Sequence, residues 1–204
     1  MVKSSAKAAG ATTSAKRARD RVFDVASDLF YRKGVHAVGV DEIVKEAGVA
    51  KISLYRSFAS KDALVVAYLE QRGRTFLHHW DETFAQYHDN PRAQLQAIMT
   101  YIAERTTEAG YRGCPFINFC AEFPDASHPG RRIARAAKEA MFERFLHISE
   151  ALPAPQPRDL ANALLLLVEG AYAISQTYGG GTDGVGQSLV WASDALVDAQ
   201  LRKR

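Results

Sequence analysis

Cysteine is nearly missing from this chain, with only Cys114 and Cys120 among 204 residues. Six positions apart on a helix, the two point in different directions, so a reducing compartment is expected and a local disulfide is not. No apolar run approaches the roughly 20 residues needed to cross a bilayer; residues 163–168 in NALLLLVEG, for one, are far fewer. With no apolar secretory stretch at its start, the chain reads as cytoplasmic and without a membrane partner. No segment alternates like a strand, and no Walker A, G-x-S-x-G or paired C-x-x-C occurs. GGGTDG does spell G-x-G-x-x-G at Gly179, Gly181 and Gly184, but a dinucleotide site needs a preceding strand, and here a helical pattern precedes it. HHWDE offers metal-ligand types at His78, His79, Asp81 and Glu82, yet no second cluster exists to complete a site. No cofactor, metal or catalytic residue is expected. A small-molecule enzyme or metal protein built on a helical body remains the alternative.

What the chain has is 47% hydrophobic content, enough at this length for a buried core. Its net charge of +3 is unevenly spread. Residues 1–61 hold twelve Lys or Arg against six Asp or Glu, and the remainder hold fourteen against seventeen. A basic front on a slightly acidic body suits a polyanion, because clustered cations release counterions from phosphates. A solvated basic tail is the plainer alternative.

Residues 1–15, small and basic without periodic apolar positions, read as a disordered tail. Val22, Val25, Ala26, Leu29 and Phe30 then mark one face of a helix ending near Gly34. A short helix over 41–47 stops at Gly48, a third follows at once, and Ser60 caps a fourth that runs to DNP. Further helices are expected over about 95–106, 115–123, 130–152 and 158–178 and after the glycine-rich turn. The fold class is therefore all-α, about nine helices. Residues 16–61 form a three-helix helix-turn-helix domain, and 62–204 a larger helical domain.

At 100° per residue, Lys51, Ile52, Tyr55 and Arg56 share an arc of about 140°, with Leu54 and Phe58 on the neighbouring side. One side packs and the other reads, as in a helix-turn-helix whose second helix enters the major groove. Ile52 suits a thymine methyl and Arg56 a guanine edge, though a plain solvent-facing Arg56 is the alternative.

The stretch VDEIVKEAGVAKISLYRSFASKDALV resembles the DNA-binding domain of the TetR family of bacterial transcriptional regulators. The likeness rests on Ile43, Ala47, Gly48, Val49, Lys51, Leu54, Tyr55, Phe58 and Lys61. It implies that Tyr55 and Lys61 hold phosphates and that Lys51 contacts phosphate or base. The expected DNA-binding set is Lys51, Ile52, Ser53, Tyr55, Arg56, Ser57 and Lys61. Val40, Ile52 and Ser57 depart from the family pattern, where Thr or Ser, a small residue, and His or another larger polar residue are usual.

RGCPFINFCAEFPDASHPG matches a subset of the same regulators. The resemblance implies an operator-binding homodimer and an effector cavity in the body. Cavity candidates are Trp80, Phe84, Met99, Ile102, Phe116, Asn118, Phe119, Glu122, Phe145 and Tyr172, with Met141, Glu169 and Gln176 as further members. Ordinary core packing explains many of them equally well. Leu160, Leu164, Leu167, Val168, Ala171, Leu189, Trp191 and Leu196 are the dimer-face candidates by the same analogy. A repressor released by a small, largely apolar effector is expected, with an effector-free regulator or an activator as variants.

Overall fold

The structure is a computed structural model that describes residues 3–87, 89–178 and 185–202, with side chains for 16–87, 89–178 and 186–202. Among the described residues the chain is all-α, with nine helices and no strand. They are α1 (Lys3–Lys33), α2 (Val40–Ala47), α3 (Lys51–Ser57), α4 (Lys61–Gln86), α5 (Pro91–Arg105), α6 (Pro115–Glu122), α7 (Pro129–Ala151), α8 (Pro157–Tyr178) and α9 (Ser188–Leu201). A single 3-10 turn at Val185–Gln187 leads into α9. The G-x-G-x-x-G stretch lies outside the described residues. Helix α1 begins at Lys3, inside the segment read from the sequence as a disordered tail. The sequence there includes alanines at 6, 8, 9, 11 and 15, a residue type of high helix propensity.

Local chemistry sets the helix ends. Gly34 adopts φ +88° and donates to Phe30 O at 3.1 Å, closing α1. Gly48, at φ 61° and ψ 42°, ends α2 in the left-handed conformation that a Cβ disfavours. Ser60 Oγ accepts from Ala63 N at 3.0 Å at the start of α4. Asn90 Oδ1 accepts from Ala93 N at 3.0 Å ahead of α5, which opens on Pro91.

The described chain forms two compact units. The first holds the residues up to Gln71 together with Asn118–Ile133. The second holds Arg72–Ile117 and the residues from Ala134 onward. The sequence reading set boundaries after residues 15 and 61; in the folded chain residues 118–133 join the first unit, and α4 contributes to both units.

In the first unit α1 packs on α2 and α3. Val22, Ala26, Leu29, Ile43, Leu54, Leu64 and Leu69 are all buried there. Phe30 meets Tyr68 edge-on at 5.8 Å, and Phe23 stacks on Phe58 at 6.3 Å, with the Arg19 guanidinium 5.1 Å from the Phe58 ring.

In the second unit α9 packs against α5 and α8. Trp80, Leu95, Ile98, Met99, Ile102, Phe145, Leu164, Val168 and Val197 are buried. Arg92 on α5 donates to Asp198 at 2.7 Å and to Asp194 at 3.1 Å, and Gln96 donates to Asp194 at 3.0 Å. The hydrogen bond from Arg92 holds the Asp198 carboxyl below the usual aspartate range. Because the folded value lies below the unfolded one, this contribution is complete at neutral pH and lost as pH falls through the folded value. Asp198→Asn is expected to flatten the acid limb of a melting-temperature profile below about pH 5, with the neutral melting point lowered toward the acid one. Thermal melts at stepped pH check this.

Candidate nucleic-acid interface

The interface is built on α2, a tight turn and α3, all in the first unit. Helix α2 turns Ile43 and Ala47 inward, and α3 turns Leu54 inward. Phe58 N donates to Leu54 O at 2.8 Å, which closes α3 after two turns. Buried anchors on one side leave the other side to solvent. Ile52 is 62% exposed and Tyr55 47% exposed, and Lys51 and Arg56 are exposed beside them. Two large apolar side chains are thereby kept in water next to two cations, a costly arrangement for a free surface and a natural one for a face awaiting bases and phosphates.

Six of the seven expected DNA-binding residues lie on α3, and Lys61 opens α4. Ser53 and Ser57 are half-buried, and Ser57 Oγ donates back to Ser53 O at 2.9 Å. Lys51 Nζ pairs with Asp41 Oδ1 at 2.8 Å, and the hydrogen bond to Asp41 raises its pKa. Lys61 Nζ donates to Val35 O at 2.6 Å, and burial lowers its pKa despite Asp62 and Glu122 nearby. One ammonium proton of Lys61 therefore fastens the α1–α2 turn, leaving two for other acceptors.

Sequence reasoning missed the rest of that fastening. His36 N donates to Glu122 Oε2 at 2.7 Å, and the His36 ring nitrogen meets Glu122 O at 3.0 Å. The carboxylate also lies where a Cβ on Gly34 would stand, 2.8 Å from Oε1. His36 stacks on Phe123 at 4.3 Å and Phe123 on Phe119 at 4.5 Å, while His128 Nδ1 accepts from Gly130 N at 3.0 Å. Glu122 and Phe119, expected at an effector cavity, are thus engaged within the first unit, as parts of the clamp on the α1–α2 turn. Asn118 belongs to that unit too.

The other cavity candidates, Trp80, Phe84, Met99, Ile102, Phe116, Phe145 and Tyr172, fall in the second unit. Phe116 and Tyr172 surround Lys138, a residue the sequence did not single out. Its ammonium pairs with Glu169, reaches Cys114 Sγ at 3.3 Å and lies 6.0 Å and 5.3 Å from the two rings. Burial lifts the Tyr172 phenol well above its ordinary value, with Cys114 and Tyr111 adding to it. An open groove of about 520 Å³ along α4 and α5, lined by His79, Thr83, Tyr87, Gln96, Thr100 and Tyr101 among others, includes none of the cavity candidates. The HHWDE side chains do not converge on one point: His78 pairs with Glu82, His79 lies tilted against Tyr101, and Asp81 pairs with Arg144. No metal-type cluster of three occurs among the described residues.

Of the dimer-face candidates, Leu160, Leu164, Val168, Ala171 and Leu189 are buried within the single chain, and Leu167 and Leu196 are half-buried. Trp191 is 74% exposed, as are Leu166 at 73% and Tyr178 at 71%, which the sequence did not separate from core.

A basic, aromatic helix edge presented by a braced helix-turn-helix defines a DNA-binding protein of the helix-turn-helix class. Residues 22–68 match the model for bacterial regulatory proteins of the tetR family. A protein of Streptomyces avermitilis described as a TetR transcriptional regulator is 30% identical, with a TM-score of 0.75 over 90% of this chain and 97% of that one. The TetR-family transcriptional regulator SCO4454 of Streptomyces coelicolor is 26% identical, with a TM-score of 0.84 over 91% of this chain and 96% of its own. The HTH-type transcriptional activator FasR of Mycolicibacterium smegmatis is 28% identical over 152 residues, or 73% of this chain and 68% of FasR. The chain belongs to the TetR family of DNA-binding transcriptional regulators. Its relatives are regulators, not enzymes.

Proposed function

We propose that the chain acts as a homodimeric repressor whose α3 helices enter successive major grooves of a palindromic operator and which a small, largely apolar effector releases. The observation that carries this reading is the division of α3, with Leu54 buried and Ile52, Tyr55, Lys51 and Arg56 turned to solvent. Arg56 suits a bidentate contact with guanine and Ile52 a thymine methyl, while Tyr55, Lys51 and the free protons of Lys61 suit phosphates. Exposed Trp191 and Leu166, on the last two helices, support a dimer formed through α8 and α9. The effector need only bind the released arrangement of the dimer more tightly than the DNA-bound one.

The test uses an operator selected by the protein from random duplexes. Tyr55→Ala with Arg56→Ala is expected to weaken operator binding by about 2–5 kcal/mol and to make the salt slope shallower by about one or two. Because both side chains are exposed, the melting temperature stays within about 2 °C. Unchanged affinity and slope would refute the docking of α3. The activator reading draws on the name given to FasR. A reporter behind the operator separates the two, since removing a repressor raises expression and removing an activator lowers it.

A further inference from the structure

We propose that Asp41 sets sequence discrimination by this regulator: it aims Lys51 in one direction and sets a negative charge against DNA that does not offer an acceptor there. Helix α3 carries no acidic residue, and Asp41 reaches it from the first turn of α2. The two side chains span the turn between the helices, Nζ to Oδ1 at 2.8 Å. Among the described residues, Asp28 of α1 and Glu42 of α2 hold cations of α1, Arg32 and Lys33. Asp41 is itself 82% exposed, so its carboxylate is a solvent-facing charge beside the groove-reading edge.

A free lysine swings on four rotatable bonds and meets whichever phosphate is closest, which strengthens binding to every duplex alike. A lysine paired with a carboxylate is biased toward one direction. It contributes fully only where the DNA places an acceptor along that direction, and elsewhere the carboxylate repels the phosphate that the ammonium attracts. An element of repulsion toward wrong partners is a general route to specificity.

The experiment uses the full-length dimer, its selected operator and a scrambled duplex of equal length, titrated between 50 and 200 mM salt on the scale over which phosphate contacts are resolved. Asp41→Asn is expected to tighten binding to the scrambled duplex by about tenfold and to steepen its salt slope by about one. Operator affinity is expected to change by less, so that the ratio of the two falls. In a Lys51→Ala background the same substitution is expected to have a clearly smaller effect, because only the direct repulsion of the carboxylate remains to be removed. The inference rests on α3 facing DNA, and the arms separate the two failures. If Lys51→Ala and the Tyr55→Ala, Arg56→Ala pair all leave affinities unchanged, both the docking reading and the role of Asp41 are overturned; if only Lys51→Ala is silent, the role of Asp41 alone is. If Lys51→Ala weakens binding but Asp41→Asn leaves the ratio unchanged, or acts equally without Lys51, only the role of Asp41 is overturned. Melting curves of each variant confirm that the first unit stays folded.

Discussion

Replacing Trp80 with alanine is expected to lower the unfolding free energy by about 3–5 kcal/mol, the largest loss from any single truncation in the second unit. The indole is fully buried. It meets Phe145 edge-on at 4.9 Å and Phe76 at 5.6 Å, and it tilts against Phe84 at 5.6 Å. These rings, with Met99 and Ile102 also buried, sit on helices whose backbones cannot follow the missing side chain inward, so much of the cavity persists. The indole Nε1 has no hydrogen-bond partner among the described residues, so the loss is one of packing. Trp80→Phe is therefore the informative control, expected to cost about 1–2 kcal/mol because it keeps a ring while removing an unsatisfied donor. Urea titrations with an unchanged m-value measure both. A loss below about 1 kcal/mol for the alanine variant would mean that the aromatic cluster is not the rigid centre described.

Leu54→Ala is the corresponding experiment on the first unit, with an expected cost of about 2–5 kcal/mol. Leu54 is fully buried and is flanked in sequence by Ser53 and the exposed Tyr55. Truncating it loosens α3 from α1 and α2, so operator affinity falls together with stability. Tyr55→Ala, one position along, is expected to reduce affinity while stability stays within about 0.5 kcal/mol. Melting curves and binding isotherms on the two variants thus separate the side of α3 that folds from the side that works. Equal stability losses at the two positions would contradict the observed division of the helix.

The difference between adjacent residues 54 and 55 was legible in the sequence because it is local. Apolar spacing of three and four, Gly34, Gly48 and Ser60 mark where α1 to α4 begin and end, and all lie within a few turns of what they control. The clamp on the α1–α2 turn was not legible, since Glu122 and His36 are 86 residues apart and neither spacing nor composition links them. Lys61 illustrates the same limit: its position at a helix start is readable, whereas its bond to Val35 O depends on the folded turn. On α8 the run from Leu164 to Val168 is apolar all round, so periodicity gives no inward direction. Only packing separates buried Leu164 and Val168 from exposed Leu166. Lys138, a charge in a mostly apolar neighbourhood, could have been found only through its partner Glu169, 31 positions away.

The interleaving of the two units bears on how such regulators can be recombined. A hybrid that borrowed the front of this chain up to Gln71 would leave behind Glu122, Phe123 and His128, and with them the acceptor for His36 N and the ring that covers it. Exchange of operator preference between relatives by swapping front pieces must therefore carry a second cassette, residues 118–133, or supply a host that already has a carboxylate at the matching place.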